Sequence, residues 1–172
     1  TASRLGSNAL WVVPLGMKLV LMRNGVTNVV EMDWWDKISL NEHLFGSKNA
    51  KELHRNLDDF ELVCVPAMHW SGRHVVDANT SLWASFMLRR NGDSVLYHAG
   101  DTGYSEELFD TIGRRYGPVY FSLLPIGQYC PSWHQSPRHT SPEECFRLAK
   151  QIQSAHAMGV HFGTFKLSLE PT

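Results

Sequence analysis

No run of apolar residues in this 172-residue chain approaches the roughly 20 that a membrane-spanning helix requires. Cysteine is scarce: Cys64, Cys130 and Cys145 are odd in number, far apart and without C-x-x-C spacing. Reduced thiols in a cytosolic setting are therefore expected in place of a disulfide framework. Neither sign of charge dominates, with 16 Lys and Arg against 17 Asp and Glu for a net charge of −1. Lys and Arg form no run, so a nucleic-acid partner is not expected. An internal repeat, a low-complexity tract and an H-E-x-x-H zinc signature are all missing. What is present, 43% hydrophobic and 19% charged residues, suits one soluble domain-sized core.

The pattern along the chain alternates. Leu10 to Val13 is a short apolar run closed by Pro14; Met17 to Arg23 follows as a helix stopped by Asn24-Gly25; Thr27 to Met32 is β-branched and reads as a strand. Residues 37–58 are polar and read as an insertion loop. Phe60 to Val65 and Ser81 to Leu88 are strands, and Arg89 to Asp93 is a hairpin turn into Ser94 to His98. Ser105, followed by Glu106 and Glu107, caps a helix ending near Tyr116-Gly117. Val119 to Leu124 is a buried strand. Ser141-Pro142-Glu143-Glu144 is a capping box opening a helix to about Ser154, and Val160 closes the last strand. Taken alone, this order gives an α/β class with some antiparallel pairing.

Three strand-like segments each deliver one potential metal ligand at or just past their end. The run to Ala67 leads into His69, the run to Ala99 into Asp101, and the run to Val160 into His161. Imidazole nitrogen and carboxylate oxygen are what a catalytic zinc takes when it keeps a position open for water. The pattern points to a metallohydrolase. Each residue by itself has an ordinary alternative: a hydrogen-bonded loop His, or an Asp satisfying backbone N–H groups in an Asp-Thr-Gly turn.

Longer matches narrow the choice. Val65-Pro66-Ala67-Met68-His69-Trp70, Ala99-Gly100-Asp101-Thr102-Gly103-Tyr104, Leu124-Pro125-Ile126-Gly127 and His161-Phe162-Gly163-Thr164-Phe165 occur in that order. They follow Trp11-Val12-Val13-Pro14-Leu15-Gly16 and Glu31-Met32-Asp33-Trp34-Trp35. With these stretches the chain resembles the N-acylphosphatidylethanolamine-hydrolysing phospholipase D family of the metallo-β-lactamase superfamily. The resemblance runs from about Asn8 to Pro171, broken between Lys37 and Asp58. Gly-Asp-Thr-Gly and Pro-x-x-His-Trp carry the superfamily likeness. Asp-Trp-Trp, His-Phe-Gly-Thr-Phe and the stretch from Trp133 to Glu144 carry the branch.

The resemblance implies a fold, the C-terminal part of an αββα sandwich, with residues 1–172 a partial domain lacking its N-terminal part. The family's first metal motif, His-x-His-x-Asp-His, is found nowhere in the chain, so a fragment or a truncated product is expected. A zinc-dependent phospholipase D-type hydrolase is implied, releasing N-acylethanolamine and phosphatidic acid. His69 and His161 match the ligands completing the first and second of two Zn2+ ions, and Asp101 matches the carboxylate bridging them. His139 matches a histidine lining the site near the phosphate, with capping of the following helix as the alternative. Arg138 stands where the family resembles Gln. Implied partners are a phospholipid, a membrane surface contacted peripherally and a second copy in a homodimer, in the cytoplasm on intracellular membranes. A hydrolase of this superfamily acting on a lactone or another phosphodiester, and a non-catalytic truncated isoform, are the alternatives. Trp34 and Trp35 are expected to be buried, Trp70, Phe162 and Phe165 to wall the site, and His98 to pack on its strand. The apolar stretch from Leu15 to Met22 reads as core packing, with an acyl-chain groove or a membrane contact as the alternatives.

Overall fold

The computed structural model describes residues 2–40, 59–72, 76–163, 165 and 168–170. A short helix α1 (Ala2–Leu5) and a 3-10 turn lead into β1 (Trp11–Pro14), α2 (Lys18–Arg23) and β2 (Val29–Met32). β1 and β2 form a two-stranded parallel sheet, around a small core of Val13, Val26 and Val29. The remaining strands are β3 (Lys37–Ser39), β4 (Phe60–Pro66), β5 (Ala84–Arg90), β6 (Asp93–His98), β7 (Val119–Pro125) and β8 (Ser154–Val160). They build a second sheet of six strands in chain order, antiparallel from β3 to β6 and parallel from β6 to β8. The parallel steps need crossovers, supplied by α3 (Glu106–Tyr116) and, after the single turn α4 (Ser132–Gln135), by α5 (Pro142–Gln151).

Local sequence explains the helices. Phe109, Ile112 and Tyr116 share one face of α3 and are buried. Ser105 Oγ accepts from the Leu108 N–H at 3.4 Å. At α5 the capping box forms as expected: the Glu144 N–H donates to Ser141 Oγ at 3.3 Å, and the Ser141 N–H donates to Glu144 Oε2 at 2.9 Å. The helix ends at Gln151, short of Ser154, because Ile152 turns into the core and Gln153 takes a left-handed φ of 54°. β5 likewise extends through Arg90, and the turn tightens to Asn91 and Gly92, at φ 53° and 90°.

The 37–58 segment opens differently from the expected loop. Trp35 N–H donates to the Cys64 carbonyl at 2.7 Å and Cys64 N–H to the Asp36 carbonyl at 2.9 Å. The chain is thereby already registered beside β4, and Lys37–Ser39 continue the ladder, opposite Val63 to Glu61. Residues 41–58 lie outside the described residues.

One face of the six-stranded sheet carries the core. Val63, Val65, Met87, Tyr97 and Ala99 pack against Phe109, Ile112, Leu148 and Ile152, all fully buried. Trp35 joins this core, stacked on Tyr116 at 6.3 Å, while Trp34 donates its indole N–H to the Trp83 carbonyl at 2.7 Å. On the opposite face, register aligns Phe86, His98, Leu123 and Met158 in one row. This row is only partly covered among the described residues, and Met158 is 56% exposed. The α2 segment is amphipathic in effect, with Leu19 and Met22 exposed and Leu21 packed inward.

Leu148→Ala should cost about 2–5 kcal/mol of unfolding free energy by cavity formation, and Ser141→Ala about 1 kcal/mol by loss of the cap. Denaturant titration of the two variants checks the order and the sizes.

Candidate metal centre

β4 runs in the same direction as β6, because each is antiparallel to β5; β7 and β8 are parallel to β6. The carboxyl ends of four strands therefore lie at one end of the sheet, where α/β folds place their sites. His69 leaves β4, Asp101 leaves β6 and His161 leaves β8, the last with a φ of 62°. His139 comes from the loop before α5, and that loop is tied to the end of β7 by Thr140 Oγ1, which donates to the Pro125 carbonyl at 2.6 Å.

These four side chains converge. One donor atom from each of His69, Asp101 and His139 lies within 4.8 Å of the others, and His161 Nε2 is 3.6 Å from Asp101 Oδ1. The His69 and His139 rings are 5.3 Å apart between centroids, and His139 and His161 5.4 Å. His69 Nδ1 sits 2.8 Å from the Trp70 carbonyl oxygen. A carbonyl can only accept, so Nδ1 holds the proton and Nε2 presents its lone pair. Capping of α5 falls to Ser141, which frees His139 from that role.

Buried polar atoms normally find partners, yet three here do not. His69 Nε2, His139 Nδ1 and His161 Nε2 are all buried without a hydrogen bond. Orphaned imidazole nitrogens beside a carboxylate are the donor set of a divalent transition-metal ion, so the residues fit a metal. His139 is 5% exposed, and burial pushes its pKa down to about 4, against the opposing pull of Asp101 and with help from His69, His161 and Arg138. It is a neutral imidazole at neutral pH, the form that binds metal or donates a hydrogen bond without charge.

The surroundings are less enclosed than expected. Trp70, Phe162 and Phe165 are exposed by 44%, 59% and 76%. Arg138 lies over the Trp70 ring at 6.0 Å from its centroid and donates to the His134 carbonyl at 3.3 Å. His98 stays outside the cluster, its Nδ1 accepting from the Gly100 N–H at 3.1 Å. His134 contacts Trp133 and His156 contacts Tyr120; His43, His54 and His74 lie outside the described residues. Sequence reasoning placed His139 near the phosphate but not among the other donors. Its nearness to them arises from the Thr140 tie to β7, for which the Arg-His-Thr spacing carries no signal.

Known proteins resemble this chain over most of its length. Residues 4–162 match a family model described as the beta-lactamase superfamily domain. A mitochondrial N-acyl-phosphatidylethanolamine-hydrolyzing phospholipase D of Saccharomyces cerevisiae is 44% identical over 94% of this chain, which spans 32% of that protein. A Caenorhabditis elegans N-acyl-phosphatidylethanolamine-hydrolyzing phospholipase D is 27% identical over 96% of the chain and 44% of its own length. The chain thus spans less than half the length of either relative. Among solved structures, a metallo hydrolase from the archaeon Ignicoccus hospitalis superposes with a TM-score of 0.69 at 19% identity, covering 93% of this chain and 56% of that one. That likeness concerns the fold, and the mixed α/β sheet with its helices is a metallo-β-lactamase fold. The chain belongs to the beta-lactamase superfamily.

Proposed function

We propose that this chain is part of a zinc-dependent phospholipase D-type hydrolase that acts on N-acylphosphatidylethanolamine. The observation that carries the metal chemistry is the pair of orphaned Nε2 atoms of His69 and His161 beside Asp101 at the strand ends. The substrate is taken from the yeast and nematode relatives. His69 and His161 would each hold one ion through Nε2, and Asp101 would bridge the two. Two zinc ions bound there supply Lewis acidity toward phosphoryl oxygens and a water acidified for attack. The phosphorus–oxygen bond to the ethanolamine side breaks, the water oxygen stays on phosphorus as phosphatidic acid, and the departing oxygen takes a proton as N-acylethanolamine. His139, buried and neutral, offers its imidazole N–H to a phosphoryl oxygen and a proton route to the leaving oxygen.

A bilayer lipid has to be met at its surface. Met68, Trp70 and Phe162 stand exposed on the ligand-bearing loops, with Phe165 and Leu169 following, and these side chains support peripheral contact with an intracellular membrane. No helix among the described residues is long and apolar enough to cross one. A homodimer belongs to the same proposal through the family resemblance.

The deciding experiment follows N-acylethanolamine release by the full-length protein, before and after chelation and with zinc restored. Lactones and nitrophenyl phosphodiesters are run in parallel; preference for either would reassign the substrate within the superfamily. Asp101→Asn should cost at least about 100-fold in turnover, since it removes the charge shared by both ions; near wild-type turnover with both ions retained would refute the bridging role. His139→Ala should lower turnover about 10²–10⁴-fold with metal content little changed, and full turnover would remove His139 from the chemistry. The isolated 172-residue chain should bind zinc weakly and hydrolyse no lipid, because the donors among its described residues complete neither four-ligand site. Metal analysis by mass spectrometry reads this directly.

A further inference from the structure

Both backbone groups of Met68, the residue before His69, are held by the turn that carries Asp101. The Met68 N–H donates to Thr102 Oγ1 at 2.8 Å, and the Gly103 N–H donates to the Met68 carbonyl at 2.7 Å. Thr102 Oγ1 donates in turn to the Gly103 carbonyl at 2.9 Å. Thr102 is fully buried, so no solvent competes for these bonds, and leaving either partner unmade would cost the desolvation of a buried group. The bridge sits one residue from His69 on one side and one residue from Asp101 on the other. Gly103 extends it to a third loop: a Cβ there would lie 2.6 Å from the carbonyl oxygens of Ser136 and Pro137, on the approach to His139. Backbone meets backbone at that point, and only glycine leaves the room.

We propose that Thr102 is a positioning residue for the metal centre, its hydroxyl setting the separation between His69 and Asp101. This rests on the reading of those two as ligands. A hydroxyl both accepts from an N–H and donates to a carbonyl, and the bridge uses both capacities at once. The β-branch of Thr restricts χ1, so the hydroxyl is held in place for both partners. Valine matches Thr102 in shape and can make neither bond; serine keeps both bonds and gives up the methyl.

The test compares Thr102→Val, Thr102→Ala and Thr102→Ser in the full-length protein loaded with Co2+, read by chelator competition and by the visible absorption band. Thr102→Ser should keep Co2+ affinity within about threefold and the band unchanged, whereas Thr102→Val and Thr102→Ala should lose about 10–100-fold and shift the band. Wild-type affinity and spectrum in the variants lacking the hydroxyl would overturn the proposal. So would a serine variant that loses as much as valine. If Thr102→Val does not fold, the alanine and serine pair decides by the same criterion; if neither valine nor alanine folds while serine does, the hydroxyl serves the fold and the positioning role is lost. No lipid enters the measurement, so a missing phospholipase activity leaves it standing. A wild-type protein that takes up no Co2+ overturns the metal reading and this proposal together.

Discussion

Burial of one sheet face beneath α3 and α5 is the constraint from which the rest of the molecule follows. Tyr97 sits at its middle, opposite Met87 on β5 and Ser122 on β7, fully buried, with its hydroxyl 3.2 Å from Ser85 Oγ. Side chains alternate between faces of a strand, so a slip of one residue would drive Val63, Met87 or Tyr97 out of this core. The register is therefore tightly held, and with it the places where β4, β6, β7 and β8 end. Because those four strands run the same way, fixing their register fixes the distances among the loops that leave them. The donor cluster is a by-product of core packing on the far side of the sheet end.

The cluster gathers buried nitrogens that no group among the described residues satisfies. Desolvated imidazole nitrogens without partners cost free energy, and three of them stand together beside a carboxylate. Local arrangements that break the rule of polar satisfaction tend to mark functional sites. In the reading proposed above, cations would satisfy the His69 and His161 nitrogens and the carboxylate, and a phosphoryl oxygen would meet His139. Close contacts tie the surrounding loops: Thr102 and Gly103 clasp the His69 loop, Thr140 ties the His139 loop, and Gly127 lies so close to the His161 carbonyl that a Cβ would come within 1.9 Å of it.

The two faces of the six-stranded sheet are unequal. The helical side is closed, while the row through Phe86, Leu123 and Met158 is only partly covered among the described residues. β2 shields one end of that side, where Met32 is 1% exposed and its carbonyl meets Cys64 Sγ at 3.9 Å. Burial raises the Cys64 thiol to about pKa 12, with Asp36 and Asp33 adding to the effect, so this cysteine is an inert packing residue. Partly covered apolar rows are packing surfaces. In the reading proposed above, the part of the protein that completes the metal ligands would also complete this layer.

Much of this was legible in the residues alone, wherever a signal is local. The helix caps at Ser105 and Ser141, the Asn91-Gly92 turn, the periodic face of α3 and the strand-end positions of His69, Asp101 and His161 all depend on neighbours a few positions apart. Stretches such as Gly-Asp-Thr-Gly added the family. Other features were decided only by tertiary structure, because they come from residues far apart in sequence. β3 forms since Trp35 and Asp36 exchange backbone bonds with Cys64; α5 stops at Gln151 since Ile152 is drawn into the core; His139 joins His69 and Asp101 since Thr140 is bonded to Pro125. Periodicity records which face of an element is apolar, but not which distant element will cover it. The sequence thus determined the elements and the kinds of ligand they carry, while packing decided which ligands share one space.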